Sequence, residues 1–315
     1  MKYIVFNGDA DGICAAVQEL LVFPVEAKLI SGVKRDIQLL RHAVDVKSAE
    51  IQVYDISLLK NRSELDQCLL NGCSVTWFDH HQAGELPKSD LLKVTIDMAP
   101  EVCTAILVDR ALGGKQRDWA IAGAYGDNLQ VSAEKLGEGY SQEKLKILKD
   151  LGECLNYNGY GESLEDLAAD PVDVLKEILS VKDAFEFHQS SELFAKIKEQ
   201  KSEDEQVLKT TEVLYESSAG SCVLLPDHPA SIRMSGIFSN DLVYANPDKA
   251  HAIFTKLSDG QYRISIRAPL TKPEKADELA SMFPGGGGRA KAAGVNELPA
   301  EKLKNFFEAF DKVFV

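Results

Sequence analysis

Three apolar runs of strand length, Tyr3-Ile4-Val5-Phe6, Ile51-Gln52-Val53-Tyr54 and Val75-Thr76-Trp77-Phe78, stand in the first eighty residues, and acidic residues follow each of them. The pattern predicts strands near 2–6, 25–31, 50–54 and 74–78, helices near 12–21, 34–43 and 59–70, and a further strand at 92–98. Strands alternating with helices at this spacing indicate βαβ units and a mostly parallel sheet. The carboxyl ends of such strands open onto one crevice, so side chains distant in sequence converge there. Those arriving are Asp9-Ala10-Asp11-Gly12, Asp55 and Asp79-His80-His81, and Asp127 follows the helical stretch Trp119 to Tyr125. Five carboxylates and two imidazoles in one crevice repel each other unless cations sit among them. The pattern therefore predicts a metal site.

Each motif has a plainer reading. Asp9 and Asp11 in a non-helical turn can point to two cations, but Asp11 before a helix also reads as an N-cap. Asp55 and Asp127, taken singly, read as a turn residue and a cap. Asp79-His80-His81 is more specific, because one turn offers a hard oxygen ligand and nitrogen ligands, a set suited to Mn²⁺ more than to Ca²⁺.

From Thr104 to about Leu179 the pattern is mainly helical, with Gly-containing breaks near 113, 137 and 159. A charge-dense stretch, 189–218, reads as a solvated connecting helix between a catalytic domain over 1–188 and a smaller α/β domain over 219–315. In the smaller domain, strands are expected at 221–225, 252–257 and 262–268. The last two are joined by the turn Ser258-Asp259-Gly260-Gln261, and helices are expected near 274–282, from 289 onward and near 299–313. The segment Phe283-Pro284-Gly285-Gly286-Gly287-Gly288-Arg289 opens onto small residues, and it reads as backbone N–H groups and a helix N-terminus facing an anion, with Arg289 as a fixed fork. No Lys-Ser/Thr follows the glycines, so it is not a Walker loop.

Composition narrows the ligand. At 315 residues and 45% apolar the chain can bury a full core. Net charge is −14, which argues against capture of long DNA or RNA, since such proteins normally carry a basic stripe. Residues 220–315 hold 12 Lys+Arg against 11 Asp+Glu, so the acidity belongs to the first part. A small anion fits better than a polymer. Six cysteines lack CxxC spacing, and no apolar run approaches a membrane span or a secretory leader, so a cytoplasmic enzyme is expected.

The ordered set Asp9-x-Asp11-Gly12, Asp55, Asp79-His80-His81 and Asp127, then Ser265-Ile266-Arg267 and Gly285-Gly286-Gly287-Gly288-Arg289-x-x-x-Ala293-Gly294, resembles the DHH–DHHA1 phosphoesterase family over nearly the whole chain. The resemblance implies an N-terminal DHH domain with a mostly parallel sheet flanked by helices and a smaller C-terminal α/β DHHA1 domain. It implies two Mn²⁺ ions, with Mg²⁺ or Co²⁺ as substitutes, on Asp9, Asp11, Asp55, His80 and Asp127, with Asp55 bridging. Asp79 would orient the imidazole and His81 would contact the scissile phosphate, which makes Asp79, His80 and His81 the catalytic set. Asn7, His81, Thr104, Arg267, Gly286, Gly287, Gly288 and Arg289 would bind substrate. The implied reaction is hydrolysis of a linear dinucleotide such as pGpG, or of nanoRNA, to 5′-mononucleotides. A phosphatase acting on 3′-phosphoadenosine 5′-phosphate, a pyrophosphatase and a non-catalytic nucleotide-binding module are the alternatives. The expected partners are short nucleotides, without long DNA or membrane, on a monomer or homodimer. The chain departs from the family twice: Val5 and Asn7 stand where a His before the first Asp is usual, and Arg289 stands where the glycine loop usually ends in His.

Overall fold

The structure is a computed structural model and describes residues 1–257 and 259–315. Two compact units divide at Lys201/Ser202, inside a helix that covers Glu192–Leu208.

The first unit is built on strands β1 (Lys2–Phe6), β2 (Ala27–Ile30), β3 (Glu50–Tyr54), β4 (Ser74–Asp79) and β5 (Leu92–Ile96), with helices α1 (Ala10–Val22) and α2 (Arg62–Leu70) among them. All strand pairs are parallel, in the order β2-β1-β3-β4-β5. The connection after β1 runs to one side and that after β3 to the other, so their carboxyl ends flank the point where the order reverses. Ligands of open α/β sheets bind at such points. Alternation sets the two faces: Val5, Ile51, Val53, Val75 and Trp77 bury against Leu39, Leu40, Leu65 and Cys68. Helices α3 (Thr104–Leu112), α4 (Arg117–Gly126), α5 (Gln130–Leu136), α6 (Gln142–Asn158), α7 (Pro171–Val181), α8 (Ala184–Ser190) and α9 (Glu192–Leu208) follow, and α1 packs against α3, α4, α6 and α7.

The helix expected near 34–43 is absent; only a short 3-10 turn, Leu39–Ala43, forms there. Long-range bonds pull the preceding residues out of helical geometry. The Lys34 N–H donates to Gly159 and the Lys34 carbonyl accepts from Asn7 Nδ2, while Arg41 grips Asp36 through Nη1 and Nη2 at 2.6 and 2.7 Å.

The second unit carries β6 (Glu212–Glu216), β7 (Gly220–Leu224), α10 (Pro229–Ala245), β8 (Ala250–Lys256), β9 (Tyr262–Arg267), α11 (Ala276–Ser281), β10 (Gly286–Arg289), β11 (Ala292–Leu298) and α12 (Leu303–Phe314). Its mixed sheet has the order β10-β11-β9-β8-β7-β6, with only β7 and β8 parallel. The expected β8–β9 hairpin forms, although Ser258 of its turn lies outside the described residues. Ala252, Phe254, Ile264, Ile266 and Val295 bury against Leu279, Phe306 and Phe310 on one face.

The helix expected from 289 onward is instead a strand pair. Gly286–Arg289 runs antiparallel to Ala292–Val295, and the chain reverses at Ala290-Lys291. Close approach explains why small residues suit a strand here: a Cβ on Gly286 would lie 1.9 Å from the Ala280 carbonyl oxygen. Gly288, with φ of +151°, would bring one to 2.4 Å from Ala293 Cα. The glycines therefore open onto no helix N-terminus.

No helix among the described residues is long and apolar enough to cross a membrane. All six cysteines are buried and free.

Candidate metal centre

The loop from β1 to α1 is folded against its own backbone. A Cβ on Gly12 would stand 2.3 Å from the Asn7 carbonyl oxygen, and one on Gly8 would stand 1.9 Å from that of Gly32. Asn7 Oδ1 accepts the Asp9 N–H at 3.2 Å, and Asp9 Oδ1 accepts the Gly12 N–H at 3.0 Å. Asp9, rather than Asp11, is thus the N-cap of α1. Asp11 sits in the first turn, and its two oxygens accept N–H groups of Thr104 at 2.8 Å and Ala105 at 2.7 Å. These bonds hold Asp11 at two helix N-termini, those of α1 and α3.

Asp55 follows β3 with φ of +56°, a left-handed conformation that Asp tolerates better than most residues. Its N–H is held by the Phe78 carbonyl, and its Oδ1 accepts the Thr104 hydroxyl at 3.3 Å. His80 follows β4. Its Nδ1 lies 3.0 Å from the Val102 carbonyl, which only accepts, so Nδ1 carries the proton and Nε2 faces the carboxylates. Nε2 stands 3.4 Å from Asp55 Oδ1 and 4.0 Å from Asp11 Oδ2. Asp127 caps the C-terminus of α4, the end of a helix that favours a cation. Asp79 does not hold His80; its Oδ1 pairs with His81 Nδ1 at 2.7 Å.

Two donor sets, Asp11 with His80 and Asp127, and Asp55 with His80 and His81, each bring their ligand atoms within 4.8 Å of one another. Asp9 joins neither. Its Oδ2 is bound at 2.6 Å by Lys34 Nζ, a residue that the sequence did not single out. Of the residues expected to bind substrate, Asn7 and Thr104 are buried, with their polar groups spent on this loop and these carboxylates.

Electrostatics describe a centre short of positive charge. Burial, then the neighbouring Asp11 and Asp9, pushes Asp55 well above the usual carboxylate range. Burial followed by Asp11 moves Asp127 up to about 6. Burial disfavours the His80 imidazolium, yet the hydrogen bond to Asp55 and the charge of Asp11 outweigh it, and His80 is pushed up to about 11. Protons thus supply cationic charge around His80. A divalent cation would do so more fully, and the mixed oxygen and nitrogen donors suit a transition metal. Asp79 Oδ2 is buried without a hydrogen-bond partner among the described residues. Asp9 differs: burial raises it, but the Lys34 charge and hydrogen bond outweigh burial and hold it below the usual range.

In the second unit, Arg289 pairs with Ala292, which pairs with Arg267. Register partners share a face, so the two arginines flank one small residue on the side opposite the apolar core. Arg267 Nη1 donates to Ser265 Oγ at 2.8 Å.

Comparison with solved structures locates this architecture. A DHH-domain member of the S1p family of ribosomal proteins superposes with a TM-score of 0.67 at 13% identity, over 99% of this chain and 85% of that one. The fold is that of the DHH-domain proteins. Thermus thermophilus RecJ, in complex with Mn²⁺, gives 0.59 at 16% identity over 99% of this chain and 51% of RecJ. PggH, a pGpG-specific phosphodiesterase from Vibrio cholerae, gives 0.57 at 12% identity over 99% of each chain. No family model and no curated protein matches the chain in sequence. The DHH fold thus rests on shape, and the sequence motifs fall where that shape brings strand ends together.

Proposed function

We propose that this chain is a metal-dependent phosphoesterase that hydrolyses a short nucleotide, a linear dinucleotide such as pGpG or a nanoRNA, to 5′-mononucleotides. The observation that carries the reading is His80, whose tautomer is set by Val102 so that Nε2 faces Asp11, Asp55 and Asp127. In this reading Asp11, Asp55, His80 and Asp127 hold Mn²⁺, with Mg²⁺ or Co²⁺ as substitutes. A divalent cation there supplies Lewis acidity and neutralises phosphate charge.

The remaining roles belong to the chain itself. His81, its Nδ1 held by Asp79 and its side chain 42% exposed, offers Nε2 to a phosphate oxygen and can give or take a proton there. Arg267 and Arg289 supply an anion-holding surface on the second unit, where guanidinium forks match phosphate geometry. A net charge of −14 and a near-neutral second unit favour a short substrate over a polymer. Likeness to a pGpG phosphodiesterase supports a dinucleotide.

The test is a panel of 5′-phosphorylated dinucleotides, longer oligonucleotides, 3′-phosphoadenosine 5′-phosphate and pyrophosphate, each assayed with Mn²⁺ and with chelator. Mononucleotide release from dinucleotides is expected to dominate. Preferential phosphate release from 3′-phosphoadenosine 5′-phosphate would replace the diesterase with a phosphatase, and no turnover on any member would leave a binding module.

A further inference from the structure

We infer that Lys34 takes the place of a second metal ion, so that the centre holds one divalent cation, on the His80 side, and a built-in ammonium on the Asp9 side. The inference rests on the metal-dependent reading above and changes its stoichiometry.

Four observations carry it. Asp9 Oδ1 accepts the Gly12 N–H at 3.0 Å, and Oδ2 accepts Lys34 Nζ at 2.6 Å, the length of a charge-assisted bond that already gives this carboxylate a cation. Lys34 Nζ also donates to Asn156 Oδ1 at 2.8 Å and lies 5.4 Å from the centre of the Tyr160 ring. Its backbone is fixed at both ends, by Gly159 and by Asn7, and its side chain is only 24% exposed, so this is a built contact rather than a surface lysine at rest. Finally, Asp9 belongs to neither donor set, whereas His80 belongs to both.

Asn7 and Lys34 work as a unit. An imidazole at position 7 would add a nitrogen ligand beside Asp9; the asparagine there has no such ligand. It ties the Asp9 N–H to its own Oδ1 and the Lys34 carbonyl to its Nδ2 instead. The segment that carries Lys34 is thereby held out of helical geometry and against the carboxylate. An ammonium is a compact charge with three donors. Two of them are used on Asp9 and Asn156. A divalent cation on the same Asp9 oxygen would have to expel it.

The experiment counts Mn²⁺ per chain on the metal-loaded, full-length protein by elemental mass spectrometry, with electron paramagnetic resonance as a second readout. Wild type is expected to hold one ion per chain and to show the hyperfine-split spectrum of isolated Mn²⁺. Lys34→Ala, and Lys34→Met, which keeps most of the aliphatic stem, are expected to take up a second ion and show the broadened spectrum of a coupled pair. Circular dichroism establishes that each variant is folded. Two ions on wild type would overturn the inference whatever the variants do. A folded variant that still holds one ion would overturn it too, because Lys34 would not then be what excludes the second. Wild type binding no ion would instead remove the metal-dependent reading itself, and this inference with it.

Discussion

His80 donates its Nδ1 proton to the Val102 carbonyl at 3.0 Å, and this bond leaves Nε2 to the carboxylates of Asp11 and Asp55. A backbone acceptor cannot be lost by point substitution and does not titrate, so the tautomer is set by the path of the chain before α3. The same short stretch supplies the Thr104 and Ala105 N–H groups to Asp11. One turn thus orients a nitrogen donor and an oxygen donor together.

The neighbouring pair, Asp79 with His81, makes a catalytic prediction. Asp79→Asn removes the buried charge that steadies the His81 ring while leaving its volume. The turnover number should fall by about 10²-fold or more, with little change in KM. Steady-state kinetics on the preferred substrate decide it; an unchanged turnover number would leave Asp79 a purely structural residue.

Arg267 and Arg289 predict the opposite kinetic signature. A charged hydrogen bond is worth roughly 1.5–3 kcal/mol, so either Arg→Ala substitution should raise KM about tenfold or more with a nearly constant turnover number. If both variants keep the wild-type KM, this face does not hold substrate.

Stability of the second unit should depend on Arg233, whose Nε and Nη2 meet the two oxygens of buried Asp204 at 2.6 and 2.8 Å. Arg233→Ala removes both charged hydrogen bonds from a carboxylate in the interior and should cost about 3–5 kcal/mol. Urea denaturation measures this as a lower midpoint; a midpoint within error of wild type would show that the pair contributes no net stability.

A pH dependence follows from His251. Burial depresses its pKa below the ordinary 6.5. Its Nδ1 lies 2.9 Å from Ser221 Oγ, and its Nε2 has no hydrogen-bond partner among the described residues. The unfolded chain therefore binds this proton more readily than the folded one. The contribution is full above about pH 6.5 and is lost as pH falls through the depressed folded value. Thermal midpoints should decline over that window, and less so in His251→Gln; equal declines would assign the effect elsewhere.

Much of the centre was legible because its motifs are local. Asp55 and Asp79-His80-His81 each end an apolar strand run, and the parallel sheet does the rest by bringing the carboxyl ends of β1, β3 and β4 together. Asp127 follows the same logic from the end of α4. Lys34 was invisible, because its partners Asp9 and Asn156 are 25 and 122 positions away and its own segment has the composition of a helix. The segment after Gly288 misled for a different reason. Alanine and glycine serve a small-residue helix and a closely packed edge strand alike, and the tertiary contacts of Gly286 with Ala280 and of Gly288 with Ala293 decide between them.

Phosphoester hydrolysis is proposed to depend on a cation held around His80. The most direct test of this dependence is hydrolysis of a 5′-phosphorylated dinucleotide by wild type and His80→Ala, each with Mn²⁺ and with excess chelator. Turnover is expected for wild type with Mn²⁺ alone, abolished by chelator and reduced by roughly 10³-fold or more in the variant. Hydrolysis that persists in chelator, or that His80→Ala performs at the wild-type rate, would contradict it.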